Sequence, residues 1–261
     1  VSNQYHEYFT YDSLKSCDYG VWISGENTFV APERDVEVIE VPGRNGTLTI
    51  DNGRWKNVQF VYPCFMSGDF LSGFQTFKAK LLTKKGYLKL EDTYHSGYYR
   101  MARVRSGIVP KPGIYNKSAK FEVAFDCWPQ LFLSSGDTAQ AIVASGNITG
   151  GPTSVSDTPA LPIVKIYLKN PSTYSAKTGS ITIGSRTMSF TSLPYLSGYS
   201  DEVTIDCENS QIWQETLVPG VPVSVASYFS GTFFNLAQVT VAASYTGDIR
   251  KIEVTPRWWT I

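Results

Sequence analysis

The 261-residue sequence has two histidines, four cysteines, no net charge and no long apolar run. Each shortage removes a class of function. A membrane-crossing helix needs about 20 consecutive apolar residues, and the opening residues form neither the basic nor the apolar part of a secretory signal. A soluble chain with no membrane partner is therefore expected. Lys+Arg and Asp+Glu both number 23, so the chain lacks the strong field that a generic nucleic-acid binder uses. Cys17, Cys64, Cys127 and Cys207 lie far apart, with no CxxC or Cys/His spacing, so no metal site is expected. Free thiols in a reducing compartment are the preferred reading over two long-range disulfides. Gly (21) and Pro (14) follow no fixed period, which sets aside collagen-like and low-complexity readings.

What the sequence does contain is period-2 alternation of β-branched and aromatic residues between turn signals, the mark of a mainly β fold. Val36, Val38 and Val41 lead into a turn at 42–46 (PGRNG), and Leu48 and Ile50 alternate with threonines up to a second turn at Asp51-Asn52-Gly53. Val58, Phe60 and Tyr62 alternate until Pro63, which is expected to stop the strand. Further strands are expected at 87–90, 98–104 and 121–127. One helix is expected at about 69–84, because Phe70, Leu71, Phe74, Phe77, Leu81 and Leu82 repeat with helical spacing. Asp69 is its expected N-cap and Gly86 its stop. On the far side stand Ser72, Thr76, Ala79 and Thr83, all small, which suits either a close-packing subunit contact or a plain solvent face.

Between 129 and 160 the composition shifts to Ser, Gly, Thr, Pro and Asn, and few contacts are expected to cross there. The boundary is set near 132: an N-terminal β-sandwich with one helix over 1–132, and an all-β sandwich over 133–261. Residues 1–132 hold 16 Lys+Arg and 14 Asp+Glu, whereas 133–261 hold 7 and 9. The second half is thus sparsely charged. Trp258 and Trp259 must face opposite sides of a strand, so two surfaces meet at the C-terminus and the last strand is free to pack back on the first domain.

Catalytic constellations are missing from the sequence. His6 and His95 accompany no nucleophile-elbow motif, and His95 is expected to be a solvated turn residue. The pairs Glu91-Asp92 and Asp201-Glu202 are expected to solvate loops, since neighbours on a strand cannot flank one scissile bond. Lys78, Lys80, Lys84, Lys85 and Lys89, with Arg100, Arg103 and Arg105, are the nearest thing to a polyanion site, yet the helical lysines flank the apolar stripe as snorkelling side chains do. The segment Asp206-Cys207-Glu208-Asn209 lacks calcium-loop spacing. No enzyme and no cofactor are expected.

Several segments together carry a resemblance. Tyr19-Gly20-Val21-Trp22, the 41–46 and 51–57 stretches, Ile205–Asn209 and Gly247–Trp258 look like corresponding segments of the distal tail protein (Dit) family of long, non-contractile-tailed phages. The order is kept over nearly the whole chain, although 228–236 departs from the family's usual apolar-Pro-Gly stretch. The resemblance implies that the C-terminal sandwich is galectin-like and that the protein is a baseplate hub at the virion tail tip, assembled in the host bacterial cytoplasm. It implies a homohexameric ring, single or stacked, whose lumen passes phage DNA without specific binding. Implied partners are the tail tube protein, the tail-associated lysin or tip protein and, for host adhesion, a receptor-binding protein. With this, the ring is expected to be built by the N-terminal half, with Gly43, Arg44, Asn45, Gly46, Ser72, Thr76, Ala79 and Thr83 as candidate interface residues. The alternative is a carbohydrate-binding module for cell-surface adhesion, with Trp213, Tyr195, Tyr199 and Tyr228 as candidate sugar-stacking residues.

Overall fold

The structure, a computed structural model, describes residues 7–67, 70–105, 107–113, 117–152, 159–169, 175–195, 198–218, 220–237 and 239–261. The chain is mainly β with one α-helix, in sandwich-like domains. It divides into two compact units at residues 131 and 132. In the first lie β1 (Phe9–Tyr11), β2 (Leu14–Lys15), β3 (Val21–Ile23), β4 (Arg34–Glu40), β5 (Thr47–Trp55), β6 (Val58–Ser67), α1 (Phe70–Leu82), β7 (Leu88–Asp92), β8 (Tyr98–Val104), β9 (Lys111–Pro112) and β10 (Ser118–Cys127). Strand β11 (Leu131–Leu133) follows at the division.

The main sheet of the first unit runs β2-β1-β7-β8-β10-β6-β3, and its pairings are antiparallel. Strands β1 and β6 are several places apart in that order, yet the Phe9 and Tyr62 rings stack at 5.4 Å and Phe9 meets Phe125 at 5.5 Å. Neighbouring strands are about 4.8 Å apart, so a flat sheet cannot bring these rings together. The sheet therefore curls around an aromatic core. Helix α1 closes it with Phe70, Phe74, Phe77 and Leu81; Phe74 meets Phe121 at 5.2 Å, and Phe77 meets Phe9 at 6.3 Å. The stripe is narrower than the periodicity suggests. Leu71 is 63% and Leu82 44% exposed, both outside the core. The Asp69 cap lies outside the described residues.

Pro63 does not stop its strand. Strand β6 passes through it, paired with Glu122 of β10. A residue's N–H and C=O point to the same side of a strand, and the Pro63 carbonyl accepts the Ser24 N–H at 3.0 Å, just past the end of β3. The missing proline N–H thus costs the β6–β10 ladder nothing. The second expected turn is also absent as a turn between strands. Asp51-Asn52-Gly53 lies inside β5, where the register slips between Arg34 and Val36 of β4, and Asp51 Oδ1 accepts the Gly53 N–H at 2.8 Å. The turn chemistry builds a bulge rather than a strand end.

The second unit holds β12 (Gln140–Ile142), β13 (Ser145–Ile148), β14 (Ile163–Leu168), β15 (Lys177–Ile183), β16 (Arg186–Leu193), β17 (Tyr199–Asp206), β18 (Gln211–Thr216), β19 (Val223–Ser224), β20 (Phe229–Gly231), β21 (Val241–Gly247), β22 (Ile249–Thr255) and β23 (Trp259–Thr260). A six-stranded sheet, β12-β22-β14-β17-β18-β19, and a five-stranded sheet, β13-β21-β15-β16-β20, form a sandwich. Alternation supplies its core: Val164, Ile166, Val203, Ile205, Ile252 and Val254 from one sheet, Ile181, Ile183, Met188 and Phe190 from the other. The Ser/Gly-rich stretch after 132 is not a linker, because β12 pairs with β22 and β13 with β21 and together they edge the two sheets. Trp258 is buried against this unit, its indole N–H donating to the Thr149 carbonyl at 3.2 Å.

Candidate functional site

The hairpin β4–β5 is a two-stranded sheet of its own. Its tip is built by Pro42 and Gly43: the Arg44 N–H donates to the Val41 carbonyl at 3.2 Å, and Gly43 has φ +81°. This is a type II turn, whose third position requires the positive φ that glycine supplies without strain. Gly46, at φ +82°, returns the chain to β5. Antiparallel register places Ile39 opposite Leu48 and Glu37 opposite Ile50, so Ile39, Leu48 and Ile50 share one face. All three are exposed, as are Val36 and Val38 on the other face. A lone two-stranded ribbon is marginally stable in water, and exposed apolar residues on both of its faces make it a candidate contact surface.

The predicted interface residues divide between two elements. Gly43, Arg44, Asn45 and Gly46 form the exposed hairpin tip. Ser72, Thr76, Ala79 and Thr83 are exposed along and just beyond α1. Successive helix residues advance by about 100°, so these small residues face away from the buried Phe70-Phe74-Phe77-Leu81 stripe. The exposed Leu71 and Leu82 adjoin them. Small and apolar side chains therefore share this outer helix surface.

The hairpin is rooted in a polar cluster that the sequence reading placed in solvent. The His95 side chain is only 16% exposed and lies against Asp92, with Nδ1 2.9 Å from Oδ1. Asp92 is buried as well, not a loop-solvating group. Its carboxylate also accepts the His95 backbone N–H at 2.8 Å and the Tyr62 hydroxyl at 2.6 Å. Burial alone raises a carboxyl pKa, but the donated bonds from His95 and Tyr62 outweigh it and hold Asp92 below its usual range. The Tyr62 hydroxyl is driven well up by burial and by that neighbouring charge. The Phe29 ring meets the His95 ring at 4.8 Å, tilted by 50°. Gly25 lies so close to Tyr94 that a Cβ there would come within 2.9 Å of its ring. The turn at 92–97 thus seats the loop that leads into β4.

An Asp–His pair can orient an imidazole for base chemistry, but here the ring is only 16% exposed and in contact with Phe29, and the buried thiols are held protonated. Burial pushes Cys64 and Cys127 up to about 12 and Cys207 to about 11. All four cysteines are free. Among the described residues, no group of His, Cys, Asp and Glu is arranged to hold a metal ion; His6 lies outside them. Three of the basic positions are neutralised: Lys84 pairs with Asp12 at 2.7 Å, Lys89 with Glu91 at 3.1 Å and Arg103 with Asp126 at 2.9 Å. Arg100 is buried over the Phe60 ring.

In the second unit Asp201 and Glu202 lie within β17 rather than in a loop, paired with Arg250 and Lys165. Arg257 bridges Asp206 at 3.0 Å and Glu208 at 2.9 Å, so that segment is a braced turn. Of the aromatics expected to stack on sugars, Tyr195 is buried. The Trp213 indole N–H is engaged by Glu215 at 2.9 Å.

Two mainly β units, one helix and a separate two-stranded ribbon make up a fold that a solved structure shares. The chain has the fold of the SPP1 Dit (gp 19.1) protein, described as a paradigm of the hub adsorption apparatus in phages infecting Gram-positive bacteria. The TM-score is 0.63 at 11% identity, over 98% of this chain and 99% of that one. A chain of the phage P2 baseplate in its activated conformation with Ca aligns with a TM-score of 0.49 at 10% identity, over 95% of this chain and 96% of that one. No protein-family model and no curated protein matches the sequence.

Proposed function

We propose that this protein is a non-enzymatic structural component of a phage tail tip, a hub that assembles as a homohexameric ring. The observation that carries the reading is the end-to-end likeness of fold to the SPP1 Dit protein, 98% of one chain over 99% of the other. The ring is built by the N-terminal unit, whose hairpin and outer helix face are the contact surfaces. Its lumen passes DNA without specific binding, in keeping with equal numbers of acidic and basic residues. The ring joins the tail tube protein to the tail-associated lysin or tip protein. The galectin-like C-terminal unit sits at the periphery and helps to organise receptor-binding proteins for host adhesion. The protein acts in the virion tail after assembly in the host cytoplasm.

The test is the mass and shape of the purified full chain. Sedimentation and negative-stain images are expected to give a discrete ring of about six copies, as the closure of a head-to-tail contact requires. A monomer at all concentrations, or an open filament, refutes the hub reading.

A further inference from the structure

The six-stranded sheet of the second unit turns a polar face outward. Alternation sends Val164, Ile166, Ile252 and Val254 into the sandwich, so Lys165 and Tyr167 of β14 stand with Lys251 and Glu253 of β22 on the other side. Charge gathers around Tyr167. Its hydroxyl donates to Glu253 at 2.9 Å, and Lys251 and Arg250 lie over its ring at 4.2 and 5.5 Å. Lys251 also reaches Glu253 at 2.7 Å, Lys165 reaches Glu202 at 2.6 Å, and Arg250 pairs with Asp201. A slip in register supplies these last two acids: Ser200, Asp201 and Glu202 of β17 together stand opposite Glu215 of β18. The buried Gln214 side chain holds this bulge, its amide donating to the Ser200 carbonyl at 3.0 Å. Bulges of this kind re-aim side chains and are over-represented beside sites.

Trp213 of β18 is on the same face. It lies opposite Thr204 of β17, which lies opposite Lys165 in turn. Trp213 is partly exposed, and its indole N–H is held by Glu215. Strand spacing places Trp213 about 10 Å from Lys165 and about 14 Å from Glu253. The three bases and three acids around Tyr167 cancel, so the face has no pull on an anion. Nor is it built for an apolar partner: among the described residues, no strongly exposed Leu, Ile, Val or Phe lies on β14, β17, β18 or β22. What it offers is dense hydrogen bonding without net positive charge. An ammonium group donates several bonds and a carboxylate accepts several, and the internal pairs use only some of them. Hydroxyl groups both donate and accept, and an aromatic ring gives a flat apolar surface to the C–H side of a sugar.

We propose that this face of β22, β14, β17 and β18 binds a short neutral oligosaccharide, one sugar stacked on Trp213 and the next bonded by Lys165, Glu202 and Glu253. The distance between the ring and the charged cluster fits a chain of sugars rather than a single one. The site lies wholly in the second unit and does not depend on the ring reading. If the hub reading holds, it gives the tail tip a glycan contact of its own.

Saturation-transfer NMR on the full chain tests it, with neutral trisaccharides of glucose, galactose, mannose, rhamnose and N-acetylglucosamine at millimolar concentration and trigalacturonate as the charged comparison. Transfer is expected to at least one neutral trisaccharide and not to trigalacturonate. Glu202→Gln and Glu253→Gln keep the shape of the side chain and remove a charged acceptor, so each should weaken binding about tenfold or more. Trp213→Ala should weaken it about tenfold through loss of the stacking surface. The thermal midpoint of the second unit checks that each variant is folded. Should Trp213→Ala unfold it, Trp213→Phe keeps a ring without the Glu215 bond and should give a smaller loss. No transfer to any neutral trisaccharide, transfer to trigalacturonate alone, or binding unchanged in the folded variants overturns the site. None of these outcomes alters the ring seen by sedimentation, so failure of the site and failure of the hub reading are told apart.

Discussion

Replacing Phe77 by alanine tests the packing of α1 most directly. The ring is fully buried and meets Phe9 at 6.3 Å, Phe121 at 6.1 Å and Tyr19 at 6.0 Å, so it ties the helix to β1, β10 and the turn before β3 at once. Removing a buried phenyl ring costs about 3–5 kcal/mol, the lost transfer energy plus a cavity that neighbours only partly fill. Those neighbours are themselves rings held by mutual contacts, which favours the upper part of that range. For domains of roughly this size 1 kcal/mol moves the midpoint by about 3–5 °C, so the first unit should melt about 10–20 °C earlier. Scanning calorimetry of the full chain reads this directly, with the transition of the second unit as internal reference. Leu82→Ala is the control: that side chain is 44% exposed, and surface changes of this kind are usually within about 0.5 kcal/mol. Equal midpoints for wild type and Phe77→Ala, or an equal loss for Leu82→Ala, would show that the buried stripe of α1 has been misplaced.

Acid should loosen the first unit through Asp92. Its folded pKa is depressed, so its contribution is present above the unfolded value near 4 and is lost as pH falls through the folded one. Asp92→Asn should therefore flatten the fall in that unit's thermal midpoint between about pH 5 and pH 2; an unchanged slope rejects the assignment. Gly136→Ala should destabilise the second unit by about 1–3 kcal/mol, because a Cβ there overlaps the backbone of Trp258, and a chemical-denaturation midpoint equal to wild type would contradict it. Expressed separately, residues 1–132 should assemble and 133–261 should remain a folded monomer by light scattering. The reverse result exchanges the roles proposed for the two halves.

The helix, most strands and the sandwich architecture were readable because each rests on a local period. The misreadings share one cause, partners that no local pattern displays. The helical stripe took in Leu71 and Leu82 because periodicity marks a broad arc, while the curled sheet covers only the arc around Phe74 and Phe77. Pro63 read as a strand breaker since proline denies a ladder bond; only the end of β3 shows that its missing donor faces an open side. Asn52-Gly53 carries hairpin-turn chemistry, yet in β5 it makes a bulge. The Ser/Gly stretch after 132 hid two edge strands, β12 and β13, whose pairing to β22 and β21 spans about a hundred residues. His95 could have been found: Asp92 stands three residues before it across a turn, close enough for a side-chain bond.

The distribution of uncovered apolar side chains favours the first unit as the assembling one. In that unit they include Ile39, Leu48 and Ile50 of the hairpin, Leu71 and Leu82 on the outer side of α1, Phe65 of β6, and Phe29 and Val109 outside the strands. In the second unit the densest group, Leu217, Val218, Val221 and Val223, lies between the end of β18 and the start of β19. A closed ring of identical subunits needs two different surfaces on each copy, a donor and an acceptor, placed apart so that both are filled together. One apolar loop can dock one partner but cannot supply both halves of a repeating contact. The first unit offers uncovered apolar side chains on several elements far apart in sequence, as the head-to-tail ring proposed above requires.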